Sequence, residues 1–309
     1  MEPAGEAILR LVLEPAEGGS FPAWQPGAHV DLILQGADQG RAPLIRQYSL
    51  CGDPADLTQY RLGILRDAAG RGGSVLIHDR LMIGDRIAIG TPRNHFPFRA
   101  EGRLLFIAGG IGITPMLPMV REAMRAGCDW HLIVAARNRA RLPFLSDLET
   151  LPAERVRLHC DEEAGILDLA GLLAAEGRDT TVYSCGPGPM LDALQKLSVD
   201  APWQLRIERF AAAPAADEGG DHGFEVICRR SGKRLRVPAD RSLLEVLREA
   251  GIRVESSCRD GVCGTCETRV LSGTPCHRDS VLTAAERDEG THMMVCVSRA
   301  AGDLLELDI

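Results

Sequence analysis

The stretch SCRDGVCGTC sets Cys258, Cys263 and Cys266 in C-x4-C-x2-C spacing, and 29 residues separate Cys266 from Cys296. That is the plant-type spacing for a [2Fe–2S] cluster. Four thiolates must surround two irons within a few ångströms, so a tight loop supplies three of them and a distant strand the fourth. Gly261 and Gly264 let the loop turn and aim backbone N–H groups at the sulfurs. A structural zinc site also uses four thiolates, but such sites pair two C-x2-C knuckles and this chain has one there. Cys276 lies between the expected ligands and breaks the spacing. Cys51, Cys128, Cys160 and Cys228 read as small buried hydrophobes.

A second set is built from glycine. RLLFIA runs into GGIGITPM, where Gly109, Gly110 and Gly112 allow a ligand phosphate to approach the backbone at a helix start. Pro115 stands where G-x-G-x-x-G would need its third glycine, and the second strand ends in Ala-Ala-Arg rather than an acid. TTVYSC then ends in CGPGPM, with Cys185, Gly186 and Pro187 opening another helix. Two such turns at one edge of a parallel sheet form a crevice suited to a dinucleotide. Ordinary turn chemistry is the plainer account of Gly186 and Pro187, and an inert strand-end thiol that of Cys185.

A third set is less specific. RQYSL puts Arg46, Tyr48 and Leu50 on one face of a strand and Gln47 and Ser49 on the other. GRGGS offers backbone amides, the Ser74 hydroxyl and a nearby arginine to a phosphate. These residues by themselves equally describe an amphipathic strand and a flexible turn.

The elements that must carry these sets change character along the chain. Up to residue 100, AILRLVLE, AHVDLIL, RQYSLCG, QYRLGILRD and DRIAIG read as short strands between Gly, Pro and Asp clusters, which predicts an antiparallel β-barrel or sandwich. A helix is expected to begin near Ser74. RLLFIA, HLIVAAR, RVRLHC and TTVYSC then alternate with helical stretches, predicting a parallel α/β sheet covered on both faces. In the first of those helices Thr114 is expected at the cap, Pro115 in the first turn and Gly127 at the end. Met116, Met119, Val120, Ala123 and Met124 should face the sheet. AAAPAADEGGDH is composed like a tether. Beyond it come a hairpin and a helix with a Ser242–Glu245 capping box, stopped at Gly251.

The chain has 309 residues, 45% hydrophobic and 25% charged, the balance of a protein with sizeable cores and two or three domains. A net charge of −8 argues against nucleic acid as a partner. No apolar run is long enough to span a bilayer, and the N-terminus does not read as an export signal, so a cytoplasmic protein is expected.

Taken in order, the three sets resemble the phthalate dioxygenase reductase family, in which a flavin barrel, an NAD domain and a plant-type ferredoxin share one polypeptide. RQYSL resembles its R-x-Y-S flavin motif, GRGGS its phosphate turn, and PRNHFP at 92–97 the segment closing its barrel. GGIGITPM and CGPGPM resemble its nicotinamide motifs, and ERF at 208–210 the end of its reductase unit. The resemblance implies an FMN-binding antiparallel β-barrel over 1–100, an NAD-binding α/β domain over 101–212, a linker over 213–222 and an α+β, β-grasp-like ferredoxin over 223–309. It implies FMN contacts from Arg46, Gln47, Tyr48, Ser49, Gly73, Ser74 and Phe210. For NAD it implies Gly110, Gly112, Thr114, Arg137, Cys185, Gly186 and Pro187, with Ser49, Cys185 and Glu208 at the reacting centre. The [2Fe–2S] ligands match at Cys258, Cys263, Cys266 and Cys296. The implied activity takes hydride from NADH onto FMN and passes single electrons through the cluster to a Rieske-type oxygenase. Arg137, Arg139 and Arg141 could welcome the 2′-phosphate of NADPH, yet no Ser or Thr accompanies them, and NADH is the reading. A stand-alone NAD(P)H:acceptor reductase and a redox-sensing binding protein are the alternatives.

Overall fold

Short strands with apolar residues and Gly- or Asp-rich turns build the first hundred residues. In the computed structural model, which describes residues 1–34, 43–211 and 222–309, these are β1 (Glu2–Gly5), β2 (Ile8–Leu13), β3 (Ala28–Leu34), β4 (Leu44–Ser49), β5 (Tyr60–Leu65), β6 (Ala88–Ile89) and β7 (Arg93–Asn94). They form two antiparallel sheets, ordered β1-β2-β5 and β4-β3-β6, with β7 also on β3. A bridge between Leu50 and Leu62 joins the sheets, and Leu11, Val30, Leu32, Leu50, Leu62 and Ile64 fill the space between them. Helix α1 (Gly73–Arg80) starts where GRGGS predicts and sends Ile77 into that core. The strand read from DRIAIG shrinks to Ala88–Ile89, because only there does it find ladder partners on β3.

The next hundred residues alternate β8 (Arg103–Gly109), α2 (Ile113–Arg125), β9 (Asp129–Ala136), the short helix α3 (Leu145–Leu148), β10 (Val156–Cys160), the single turn α4 (Asp161–Ala164), α5 (Leu169–Leu173), β11 (Thr180–Cys185), α6 (Gly188–Ser198) and β12 (Gln204–Glu208). The five strands are parallel in the order β10-β9-β8-β11-β12. Period-two alternation sorts the side chains to two faces. Leu104, Phe106 and Ala108 pack with α2 on one face, while Leu105 and Ile107 pack with Leu191 and Leu194 of α6 on the other.

Two expectations about α2 are corrected. Thr114 does not cap it: a 3-10 turn at Gly110–Gly112 leads into the helix, so Thr114 falls inside the first turn and its hydroxyl donates to Ile111 O at 2.9 Å. Met116, Met119, Val120 and Ala123 are buried as expected, but Met124 is 40% exposed because it sits at the edge of the apolar stripe near the helix end. Gly127 closes the helix with φ 69°, the left-handed conformation that glycine tolerates best.

Residues Met1–Glu208 form one compact unit and Arg209–Ile309 a second. Except for His222, the linker read at 213–222 lies outside the described residues. The second unit contains β13 (Phe224–Cys228), β14 (Lys233–Val237), α7 (Leu243–Glu249), β15 (Glu267–Ser272), β16 (Pro275–Cys276), α8 (Ala284–Glu289), β17 (His292–Met294), β18 (Arg299–Ala300) and β19 (Leu304–Leu307). Its mixed sheet runs β14-β13-β19-β15-β17, with β13 and β19 parallel. The predicted Ser242–Glu245 capping box is formed at the start of α7, whose Leu243, Leu244 and Leu247 pack onto Phe224, Val226 and Leu305. Among the described residues no helix is long and apolar enough to cross a membrane.

Candidate functional site

The strand β4 carries RQYSL toward the start of α1. Arg46 donates from Nη1 to Ile45 O at 2.8 Å and from Nη2 to Arg71 O, inside the GRGGS turn. A Cβ on Gly73 would come within 2.5 Å of Arg46 Cγ, so the guanidinium stem lies directly against the helix entry. No side chain caps α1 at Gly72, which leaves its first N–H groups for an anion. Ser74 uses its hydroxyl to accept the Asp67 N–H at 3.0 Å, which shapes the turn. Burial pushes the Tyr48 phenol up to about 12, with Arg46 opposing, so the ring stays neutral beside the cation. Ser49 is buried opposite His29 in the β3–β4 register. Gln47, on the other face, gives its amide to Asp31 at 2.6 Å. Arg93 of the PRNHFP segment also reaches Asp31, at 2.9 Å, and β7 closes the barrel on β3. Nothing in the sequence singled out Asp31, since its partners lie 16 and 62 residues away. This cationic turn with free amides fits a flavin phosphate.

The second place lies at the carboxyl ends of β8, β11 and β12. Cys185 aligns with Ala108 on one side and Glu208 on the other. A Cβ on Gly112 would run into the Cys185 carbonyl, and one on Gly186 would stand 2.9 Å from Gly109 Cα. Both turns therefore need backbone against backbone, and they hold the crevice open to a ligand phosphate. Glu208 Oε2 is buried with no hydrogen-bond partner, and burial raises the carboxyl to about 8. The Cys185 thiol is pushed up too, first by burial and then by Glu208. An orphaned carboxyl oxygen beside a buried thiol fits a polar ring system that both would flank. Thr114 is buried close to the barrel: a Cβ on Gly63 of β5 would approach its Cγ2 to 2.5 Å. Phe210 belongs to the second unit with its ring 44% exposed, and its place over the flavin is carried by the resemblance alone.

Two further groups were missed or half seen in the sequence. Arg121 of α2 donates from Nη1 to the carbonyls of Cys51 and Gly52, both at 3.1 Å, and from Nη2 to Asp147 at 3.2 Å. Arg10 of β2 holds the other Asp147 oxygen. The arginines after β9 are not free for a phosphate as the sequence suggested. Arg137 Nε pairs with Glu162 at 3.0 Å, Arg139 with Glu163 at 3.6 Å and Arg141 with Glu6 at 3.5 Å.

The third place is in the second unit. Cys258, Cys263, Cys266 and Cys296 are all buried. Cys258 lies within hydrogen-bonding reach of Cys263 and Cys296, and Cys296 also of Cys266. Those neighbouring thiols pull the Cys258 thiol down. Loop amides point at sulfur, Asp260 N–H at Cys258 Sγ (3.3 Å) and Cys258 N–H at Cys263 Sγ (3.4 Å). Four converging thiols with amide donors around them fit a [2Fe–2S] cluster. Cys276 lies on β16 opposite Arg299, outside that set. Asp279, unremarked in the sequence, accepts from Val281 and Leu282 N–H at 3.0 and 2.9 Å, and the adjacent Ser280 N–H ties this segment to Gly261 O at 2.8 Å.

Comparison with known proteins decides what the three places add up to. Residues 226–301 match the 2Fe-2S iron-sulfur cluster binding domain and residues 106–196 the oxidoreductase NAD-binding domain. A vanillate O-demethylase oxidoreductase from Pseudomonas is 42% identical over 100% of this chain and 98% of its own length. The solved phthalate dioxygenase reductase, described as a modular structure for electron transfer from pyridine nucleotides to [2Fe-2S], matches 100% of this chain and 95% of its own at 33% identity and a TM-score of 0.67. The chain belongs to the phthalate dioxygenase reductase family. It also matches, at 40% identity and a TM-score of 0.90, a segment of an intact type IV self-sufficient cytochrome P450 monooxygenase, spanning 40% of that chain. As a member of the reductase family, the protein is an oxidoreductase with NAD, flavin and [2Fe–2S] sites on one polypeptide.

Proposed function

We propose that the chain is the cytoplasmic reductase component that carries electrons from NADH through FMN and a [2Fe–2S] cluster to a Rieske-type oxygenase. The observation that carries this reading is the order of the three places: cationic phosphate turn, glycine-walled crevice and four converging thiols on one chain. FMN rather than FAD is taken from the family resemblance. When bound, the flavin accepts a hydride from the coenzyme and releases single electrons to the cluster. Arg46 and the amides of Gly73 and Ser74 anchor the flavin phosphate. Tyr48, held neutral, packs along the ring, and Ser49 offers a hydrogen bond at its reactive edge. Gly110, Gly112, Gly186 and Pro187 admit the coenzyme's phosphates, and Thr114 and Cys185 border its nicotinamide. Glu208 holds its proton at neutral pH and can donate it as a hydrogen bond beside the reacting centre. Cys258, Cys263, Cys266 and Cys296 hold the cluster.

A haem monooxygenase as acceptor is the second reading, favoured by the 40%-identical segment of the self-sufficient P450. The purified protein with NADH should reduce cytochrome c and should support turnover by a Rieske oxygenase encoded beside it. Cytochrome c reduction without support for any neighbouring Rieske oxygenase would move the acceptor to the second reading. No NADH-dependent reduction at all would end both.

A further inference from the structure

Beside the coenzyme crevice, the acids that follow β10 sit against the arginines that follow β9. The register explains why: Cys160, the last residue of β10, aligns with Ala136, the last of β9, so Asp161 and Arg137 leave the sheet side by side. The Glu162 N–H donates to Arg137 O at 3.0 Å, and Glu162 Oε1 accepts from Arg137 Nε at 3.0 Å, so main chain and side chain fix one contact twice. Glu163 stands 3.6 Å from Arg139. In doubly wound sheets the coenzyme's adenosine ribose lies at the end of the second strand, here β9, and an arginine there accommodates a 2′-phosphate.

We propose that the turn Asp161–Ala164 is a specificity determinant that rejects the 2′-phosphate of NADPH by occupying Arg137 and Arg139. The proposal rests on the NADH reading above and names what enforces it. A phosphate dianion entering here must displace two carboxylates from the guanidinium groups and then remain beside them and Asp161. Like charges placed together in this way discriminate between ligands even where each pair adds little to stability. The pairs are open to solvent, at 68% and 51% for Arg137 and Glu162, so their role is read in ligand choice rather than in folding.

The test measures Kd for ADP and for 2′,5′-ADP by calorimetry on the full-length holoprotein at one ionic strength. Wild type should favour ADP. In Glu162→Gln/Glu163→Gln the ratio should shift toward 2′,5′-ADP by about tenfold, with a parallel gain in kcat/KM for NADPH over NADH. Adding Arg137→Ala should cancel the shift, because the arginine is what the acids release. An unchanged ratio in the double variant, or a shift that survives Arg137→Ala, overturns the proposal while NADH oxidation by the wild type leaves the underlying reading intact. A wild type that prefers 2′,5′-ADP and NADPH overturns both.

Discussion

Glu208 shows how one side chain's chemistry depends on the strand beside it. A carboxyl at the end of a strand in RIERF would ordinarily titrate near 4.5, but burial beside Cys185 lifts it to about 8. Below its unfolded value the group is protonated in both states and costs nothing. As pH rises toward 8 the unfolded chain ionises while the folded chain does not, so stability falls across that window, by on the order of a few kcal/mol at most. Glu208→Gln should therefore match the Tm of wild type near about pH 4 and exceed it above about pH 8. Thermal melts of the flavin-stripped protein across that range check this. A gap between the two proteins that stays constant with pH would mean that Glu208 titrates normally.

At the scale of elements, α2 is the part that joins the two halves of the first unit. Its N-terminal turn walls the coenzyme crevice, and two turns later Arg121 grips the carbonyls of Cys51 and Gly52, just past the strand that bears Ser49. Asp147, gripped by Arg10 and Arg121, ties β2 to the same helix. Arg121→Ala removes three donated hydrogen bonds and leaves Asp147 with one cationic partner. The expected cost is about 1–3 kcal/mol in stability and about a tenfold slower reduction of flavin by NADH, since reacting groups tolerate little misplacement. Stopped-flow absorbance of flavin reduction measures this, with Arg121→Lys recovering part of the rate. Unchanged flavin reduction in a folded alanine variant would confine Arg121 to stability. The position of α2 was legible from its caps and apolar stripe, but Arg121's partners were not, because they lie 70 and 69 residues away.

For the whole molecule, the division into units Met1–Glu208 and Arg209–Ile309 sets a prediction about electron exit. Each unit has its own buried core. A chain ending at Ala211 should fold, bind flavin and oxidise NADH with ferricyanide at close to the full-length rate. Its cytochrome c reduction should collapse, because the cluster thiols all lie in the missing unit. Steady-state assays with both acceptors decide the matter. Cytochrome c reduction at the full-length rate would place the exit at the flavin.

The sequence by itself determined what is local: the cysteine spacing of the cluster loop, the glycine turns after β8 and β11, the capping box of α7 and the alternation that makes a parallel sheet. Such features are set by backbone geometry within a few residues, so they survive being read one residue at a time. Tertiary structure decided the rest. It placed Glu162 against Arg137, Glu208 beside Cys185 and Asp31 between Gln47 and Arg93. Each of these depends on strand register and desolvation between residues far apart in the chain. For that reason the arginines after β9 read as a phosphate site in the sequence, and only the fold reveals the carboxylates that hold them.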